Sequence, residues 1–268
     1  MDTLRASLNQ HAERVWEAVA PGLPGFSVEL LTEIDSTNSE LMRRARAGVL
    51  EPTLLVALSQ TAGRGRRGKT WLSSPGDSLT FSLGLPLAPT DWSGLSLVVG
   101  VSLADSLHTD VRLKWPNDLW WHGRKVGGIL VETATQGAGR CVVVGVGLNL
   151  ATPVLPDLPT TRPEGTAADM PPVPPAGLRE CLPGLDAGAL LLCLLPALVR
   201  DLQAFEALGF GAFAQRFAQR DALAGQAVFT SDGLSGTACG VGADGCLRLL
   251  TAEGMREISN AEVSVRPC

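Results

Sequence analysis

Through the first half of the chain, apolar residues recur in short, mostly alternating runs broken by glycine. That is the period expected where successive side chains point to opposite faces of a strand. Residues 53–58, 78–83 and 140–146 predict strands on this basis. Between them, residues 38–47 and 93–107 show helical spacing, and Gly48 supplies a residue suited to the left-handed end of the first helix. Residues 4–19 read as one further amphipathic helix. A proline-rich stretch, with eight prolines among residues 153–175, predicts a loop. Beyond it, residues 186–208 predict a long helix interrupted by Pro196, and residues 212–219 a second one. From Ala224 the pattern changes again. Short β-like runs at 226–230, 234–241, 246–250 and 262–265, punctuated by glycines, predict a small barrel appended near residue 221.

Composition narrows the function classes. A chain of 268 residues with 45% hydrophobic and 18% charged residues is globular, and its longest apolar run, residues 189–199, is well short of the ~18 residues of a membrane span. A transmembrane protein is therefore not expected. The first residues lack an apolar h-region, so a cytoplasmic location is expected. Six cysteines form no C-x-x-C pair and have only three histidines as companions, which argues against a zinc site or a disulfide framework and predicts buried small hydrophobes instead. A net charge of -5 disfavours a general nucleic-acid binder, whose phosphate contacts need a basic face.

Against that acidic balance one cluster stands out. Gly63, Gly65 and Gly68 match G-x-G-x-x-G by spacing, yet the residues that follow, Lys69 to Gly76, predict no helix to hold a pyrophosphate, so the dinucleotide reading fails. What remains is a flexible loop with Arg64, Arg66, Arg67 and Lys69 on it. Guanidinium forks suit phosphate and carboxylate oxygens, and glycines let a backbone approach a ligand; the bland alternative is a solvated basic turn. A second segment runs from Lys114 through Trp115, Pro116, Asn117 and Asp118 to a His122-Gly123 hairpin turn, then to Lys125, Gly127, Gly128 and Glu132. It sets an amide, a carboxylate and an ammonium beside glycines, where a nucleotide or metal has room; a polar loop is the plain reading. In the stretch from Asp35 to Glu40, Thr37 and Glu40 form a capping box that by itself explains the residues. The Gly145-to-Asn149 stretch, ending an apolar strand, is explained equally by a turn or by ligand binding.

Taken in order, Asp35 to Asn38, Gln60 to Gly68 with Trp71, Lys114 to Asp118, Lys125 to Glu132 and Gly145 to Asn149, followed by a small β-domain, resemble the biotin protein ligases. The likeness runs from about residue 33 to the end. It implies an α+β fold: a mixed β-sheet catalytic domain flanked by helices, of the class II synthetase-like biotin–lipoate ligase kind, over residues 1–220, with a C-terminal SH3-like β-barrel over 221–268. It implies a two-step reaction with biotin and Mg2+-ATP. The biotin carboxylate attacks the α-phosphate to give biotinyl-5′-AMP and pyrophosphate, and a lysine of the biotin carboxyl carrier protein of acetyl-CoA carboxylase, or of another biotin-dependent carboxylase, then displaces AMP. By the same resemblance, Ser36, Thr37, Asn38 and Gln60 contact the biotin head group. Arg64, Gly65 and Arg66 close over it, with Lys125 at the carboxylate; Lys125, Arg64 and Arg66 are the expected catalytic groups. Arg67, Trp71, Asn117 and Asn149 are expected on ATP, and Asp118 near the metal or lysine. The loop 63–70 is expected to be mobile without ligand.

Some relatives carry an N-terminal winged helix-turn-helix of some sixty residues before the Ser-Thr-Asn motif. Only 35 residues precede Ser36 here, so a DNA-binding role is not expected. Lipoate–protein ligase, which shares the adenylation logic, is the nearest alternative, and a non-catalytic biotin-binding module is the alternative of another class. A homodimer through edge strands of the central sheet is the expected assembly.

Overall fold

The computed structural model describes residues 2–137, 139–154, 174–259 and 265–267. Most of the proline-rich stretch therefore lies outside the described residues, as do residues 260–264. Strands β1 (Ser27–Ile34), β2 (Thr53–Gln60), β3 (Ser78–Pro86), β4 (Val111–Lys114), β5 (Asp118–Trp121), β6 (Arg124–Gln136) and β7 (Gly139–Asn149) form one sheet in the order β1-β2-β3-β7-β6-β5-β4. β1 and β2 are parallel and every other pair is antiparallel, so the sheet is mixed.

Helices cover it unequally. On one face, α1 (Asp2–Val19), α3 (Leu95–Leu107) and α4 (Ala187–Leu208) pack over Leu54, Val56 and Leu58 of β2, Leu79, Phe81 and Leu83 of β3, and Val142, Val144 and Val146 of β7. On the other, the single helix α2 (Thr37–Arg46) lies over Leu55, Cys141 and Val143. Because side chains alternate with period two, residues between those buried positions point to the α2 face. There β3 offers Thr80 and Ser82, and β7 offers Gly145 and Gly147, all beyond the reach of α2's apolar stripe. A sheet with helices on both faces explains why the central strands are apolar nearly throughout; each fully buried leucine contributes roughly 1.5–3 kcal/mol.

Three local expectations shift. Ser36, not Thr37, caps α2: its hydroxyl accepts from the Ser39 amide, which leaves Thr37 free to point into the fold. Pro196 does not interrupt α4, which runs through it; the proline sits on a partly exposed flank while Leu191, Leu194, Leu195 and Leu198 bury the opposite side. By length and composition α4 alone among the described helices could cross a membrane, although in the fold it packs on α1 and α3. The cysteines are not uniformly buried: Cys141 is, whereas Cys193 and Cys239 are exposed, and all five described cysteines are free thiols.

α5 (Ala214–Arg220) ends the helical part, and β8 (Ala227–Thr230), β9 (Ser235–Val241), β10 (Leu247–Thr251), β11 (Gly254–Ile258) and β12 (Val265–Pro267) form an antiparallel sheet in the order β11-β10-β9-β8-β12. Of the run expected at 262–265, only Val265 is described, opening β12; β11 was not expected. This sheet sits tightly on the first unit. The buried Trp115 indole donates to the Gly245 carbonyl at 3.0 Å, and a Cβ at Gly245 would lie 2.8 Å from the Gly94 Cα.

Candidate active site

A cavity of about 190 Å³ opens where the α2 layer stops. Its floor is a chain of buried polar side chains. Thr37, at the first turn of α2, donates from its amide to Gln60 Oε1 at 2.8 Å, and its hydroxyl lies 2.8 Å from Ser82 Oγ. Ser82 donates to Asn38 Oδ1 at 3.2 Å, and Asn38 Nδ2 donates to the Glu132 carboxylate on β6. Ser36, Thr37, Asn38 and Ser82 are all nearly inaccessible, so these groups must satisfy one another or a ligand. Gly145 is required here, since a Cβ would come within 2.6 Å of Asn38 Oδ1.

The opposite wall is cationic. Lys125, at the start of β6, pairs with Asp118 at 2.7 Å, and Lys114 lies 3.9 Å from the other oxygen of the same carboxylate. The ammonium of Lys125 also sits 5.7 Å from the centre of the Trp71 ring. That indole lies over the cross-strand glycine pair Gly128 and Gly147; a Cβ on Gly147 would be 2.3 Å from Trp71 Cε2. Its Nε1 is buried without a partner.

The glycine-rich loop roofs the cavity as a small hairpin. Gly65 donates to the Lys69 carbonyl and Trp71 to that of Gly63, where a Cβ would meet the Trp71 carbonyl at 2.3 Å. Arg67 takes a left-handed conformation, with φ of 57°. The three arginines diverge. Arg64 forks onto Glu132 at 3.1 and 3.2 Å, Arg66 turns inward to Asn117 Oδ1 at 3.4 Å, and Arg67 reaches across to Ser231 of the C-terminal sheet at 3.0 Å. Burial pulls the Arg66 guanidinium below its ordinary pKa, Asp118 opposes that shift and Arg67 adds to it; the group stays cationic and poorly hydrated, suited to a phosphate.

Comparison with known proteins decides the family. Residues 31–149 match the Biotin/lipoate A/B protein ligase family. The biotin--[acetyl-CoA-carboxylase] ligase of Paracoccus denitrificans is 33% identical over 248 residues, covering 87% of this chain and 98% of that one. The chain belongs to the biotin protein ligase family. Another member, the bifunctional ligase/repressor BirA of Escherichia coli (strain K12), is 36% identical over 207 residues, 74% of this chain but only 60% of that protein, so the match takes in less than two thirds of the longer relative. Among solved structures, the biotin protein ligase from Aquifex aeolicus in complex with biotin and ATP superposes with a TM-score of 0.71 at 30% identity, over 90% of this chain and 99% of that one. The mixed sheet with its flanking helices and the separate antiparallel C-terminal sheet are thus the biotin protein ligase fold.

For this family member, the structure brings Ser36, Thr37, Asn38, Gln60, Arg64, Gly65, Arg66, Arg67, Trp71, Asn117, Asp118 and Lys125 to one cavity. Asn149 is not among its walls. Its amide donates to the backbone carbonyls of Lys125 and Ala176, at 3.3 and 3.2 Å, so it braces the start of β6 from behind. Asp118 lies beside two lysines: one carboxylate oxygen is 2.7 Å from the ammonium of Lys125 and the other 3.9 Å from that of Lys114. Sequence reasoning missed Ser82 as a site residue, and named Lys114 and Glu132 only as the ends of motifs.

Proposed function

We propose that the chain adenylates biotin with ATP and passes the biotinyl group to a lysine of a biotin carboxyl carrier protein, that of acetyl-CoA carboxylase in the first instance. The observation behind this reading is the polarity of the cavity: a neutral hydrogen-bonding floor at one end and three cations, Lys125, Lys114 and Arg66, at the other. The floor suits an uncharged, amide-rich ring, with Ser36, Thr37, Asn38 and Gln60 as its contacts. The cations suit a carboxylate and a triphosphate, whose mutual repulsion otherwise keeps them apart. Lys125, held by Asp118, lies at the junction, where its charge would stabilise the pentavalent phosphorus as the biotin oxygen attacks and pyrophosphate leaves. Arg66 and Lys114 would take the charge of the departing pyrophosphate, while Arg67, Trp71 and Asn117 form the nucleotide's side. Magnesium enters as part of the Mg2+-ATP substrate. In the second step the carrier amine attacks the acyl carbon, loses a proton, and AMP departs. A division at 220/221 fits this reading, since the second unit meets the roof loop through Ser231. A cytoplasmic location goes with this reading.

Pyrophosphate exchange into ATP tests the reading, run with Mg2+ and with biotin, with lipoate and with neither. Exchange that needs biotin is expected. Exchange that needs lipoate, or none with either acid, refutes it.

A further inference from the structure

Glu132 is the one acidic side chain in the described structure that joins the cavity floor to its roof. From β6 it accepts from Asn38 Nδ2, at the start of α2, and from both terminal nitrogens of Arg64 in the glycine-rich loop. Arg64 Nη1 also lies 3.3 Å from Ser39 Oγ, so the guanidinium is clamped between β6 and α2. The hydrogen bonds therefore run unbroken from Gln60 through Thr37, Ser82, Asn38 and Glu132 to Arg64. The Glu132 side chain is 22% exposed and Arg64 is 46% exposed, which leaves the pair partly shielded from solvent.

We infer that Glu132 is a positioning residue, a latch that acts through Arg64 to hold the glycine-rich loop closed over the acyl-adenylate. This rests on the proposed adenylation. An acyl-adenylate hydrolyses readily, so a roof that stays shut excludes water until the carrier arrives. The latch also senses the floor. A ligand that engages Thr37 and Asn38 fixes the amide that orients Glu132, and so strengthens the hold on Arg64; an empty floor leaves one link of the chain less constrained. Binding at one end and closure at the other are thereby coupled through five consecutive hydrogen bonds.

The test is a double-mutant cycle of Glu132→Ala and Arg64→Ala with two readouts: release of biotinyl-AMP, and trypsin cleavage of the ligand-free loop at Arg66, Arg67 and Lys69. For a half-exposed, two-point charged pair, each single change is expected to speed release and cleavage roughly five- to tenfold, and the double variant to be no faster than either. Release and cleavage at native rates in Glu132→Ala, or effects that multiply in the double variant, would overturn the latch. Glu132→Gln keeps an acceptor while losing the charge and is expected to fall between; it carries the test if the alanine variant fails to fold. Should the native chain make no adenylate from biotin, the functional reading falls, while the cleavage ratio in ligand-free protein still decides whether Glu132 pins the loop.

Discussion

Gly145 and Gly147 stand two residues apart on the same face of β7, and they divide the cavity. Replacing Gly147 by alanine would place a Cβ 2.3 Å from Trp71 Cε2, 2.5 Å from Cζ2 and 2.7 Å from Nε1. Three ring atoms within that distance cannot be relieved by a small rotation, because the indole lies over both glycines of the platform, where a Cβ at Gly128 would also touch it, 3.4 Å from Cζ3. The strand cannot yield either, being paired on both sides with β3 and β6. Trp71 must therefore lift off. Overpacking of this kind costs ~1–3 kcal/mol, and since Trp71 belongs to a loop, the cost should appear in ligand binding more than in unfolding. At about 2 kcal/mol the dissociation constant for ATP rises about 30-fold. Gly145→Ala instead drives a Cβ to 2.6 Å from Asn38 Oδ1 and disturbs the floor. Calorimetric titration of each variant with biotin and with a non-hydrolysable ATP analogue checks the pair. Gly147→Ala is expected to lose the nucleotide and largely keep biotin, and Gly145→Ala the reverse. If both variants lose the two ligands equally, or Gly147→Ala binds nucleotide as the native chain does, the division of the cavity is wrong.

Two further expectations bear on chemistry and on stability. Lys125→Ala removes the ammonium paired with Asp118 at 2.7 Å, and adenylate formation should fall about 10²–10³-fold in single-turnover quench assays while biotin affinity changes far less; a loss of under tenfold would remove Lys125 from the transition state. Glu180 clasps the two ends of the proline-rich stretch: it accepts from Thr152 Oγ1 at one end and from the Gly177 amide at the other, and pairs with Arg124. The Arg124 hydrogen bond, then those of Thr152 and Gly177, hold its carboxyl at about 2, below the ordinary 4.5. The folded state thus resists protonation, so this contribution is complete above pH 4.5 and is lost as the pH falls towards 2. Urea unfolding midpoints measured across that window should fall less steeply for Glu180→Gln than for the native chain, and identical slopes would refute the clasp.

What the sequence makes legible is what neighbours in the chain decide. The His122-Gly123 turn is read correctly because only a left-handed pair closes so short a hairpin, and the structure gives φ of 47° and 74° there. The end of α2 at Gly48, with φ of 75°, follows from the same rule. The loop of Arg64, Arg66, Arg67 and Lys69 is visible as a concentration of charge, but the three directions its arginines take are not, since each is set by a partner far along the chain: Glu132, Asn117 and Ser231. Local spacing offers Thr37 as the cap, because Glu40 completes a capping box with it; Ser36 takes that place because Gln60 holds the Thr37 amide and Ser82 its hydroxyl. β1 escaped for a related reason. As an edge strand paired only with β2, it is half-buried along most of its length and lacks the apolar density of its neighbours.

The central strands carry one further signal. In a sheet covered on both faces, every position of a central strand should be apolar, so small or polar residues recurring at every second position mark where one cover ends. Thr80 and Ser82 alternate with Leu79, Phe81 and Leu83, and Gly145 and Gly147 with Val144, Val146 and Leu148. These two series lie on adjacent strands, with Thr80 opposite Gly147 and Ser82 opposite Gly145. Such a cross-strand patch gives the apolar stripe of a helix little to bury, and its hydroxyls need polar groups over them. Here the indole of Trp71 and the amide of Asn38 do so from two separate elements, and the cavity is the space they leave. Period-two interruption of an apolar strand, matched across its neighbour, therefore locates a site in a mixed sheet without any motif, and it points to Ser82, which motif reasoning passed over.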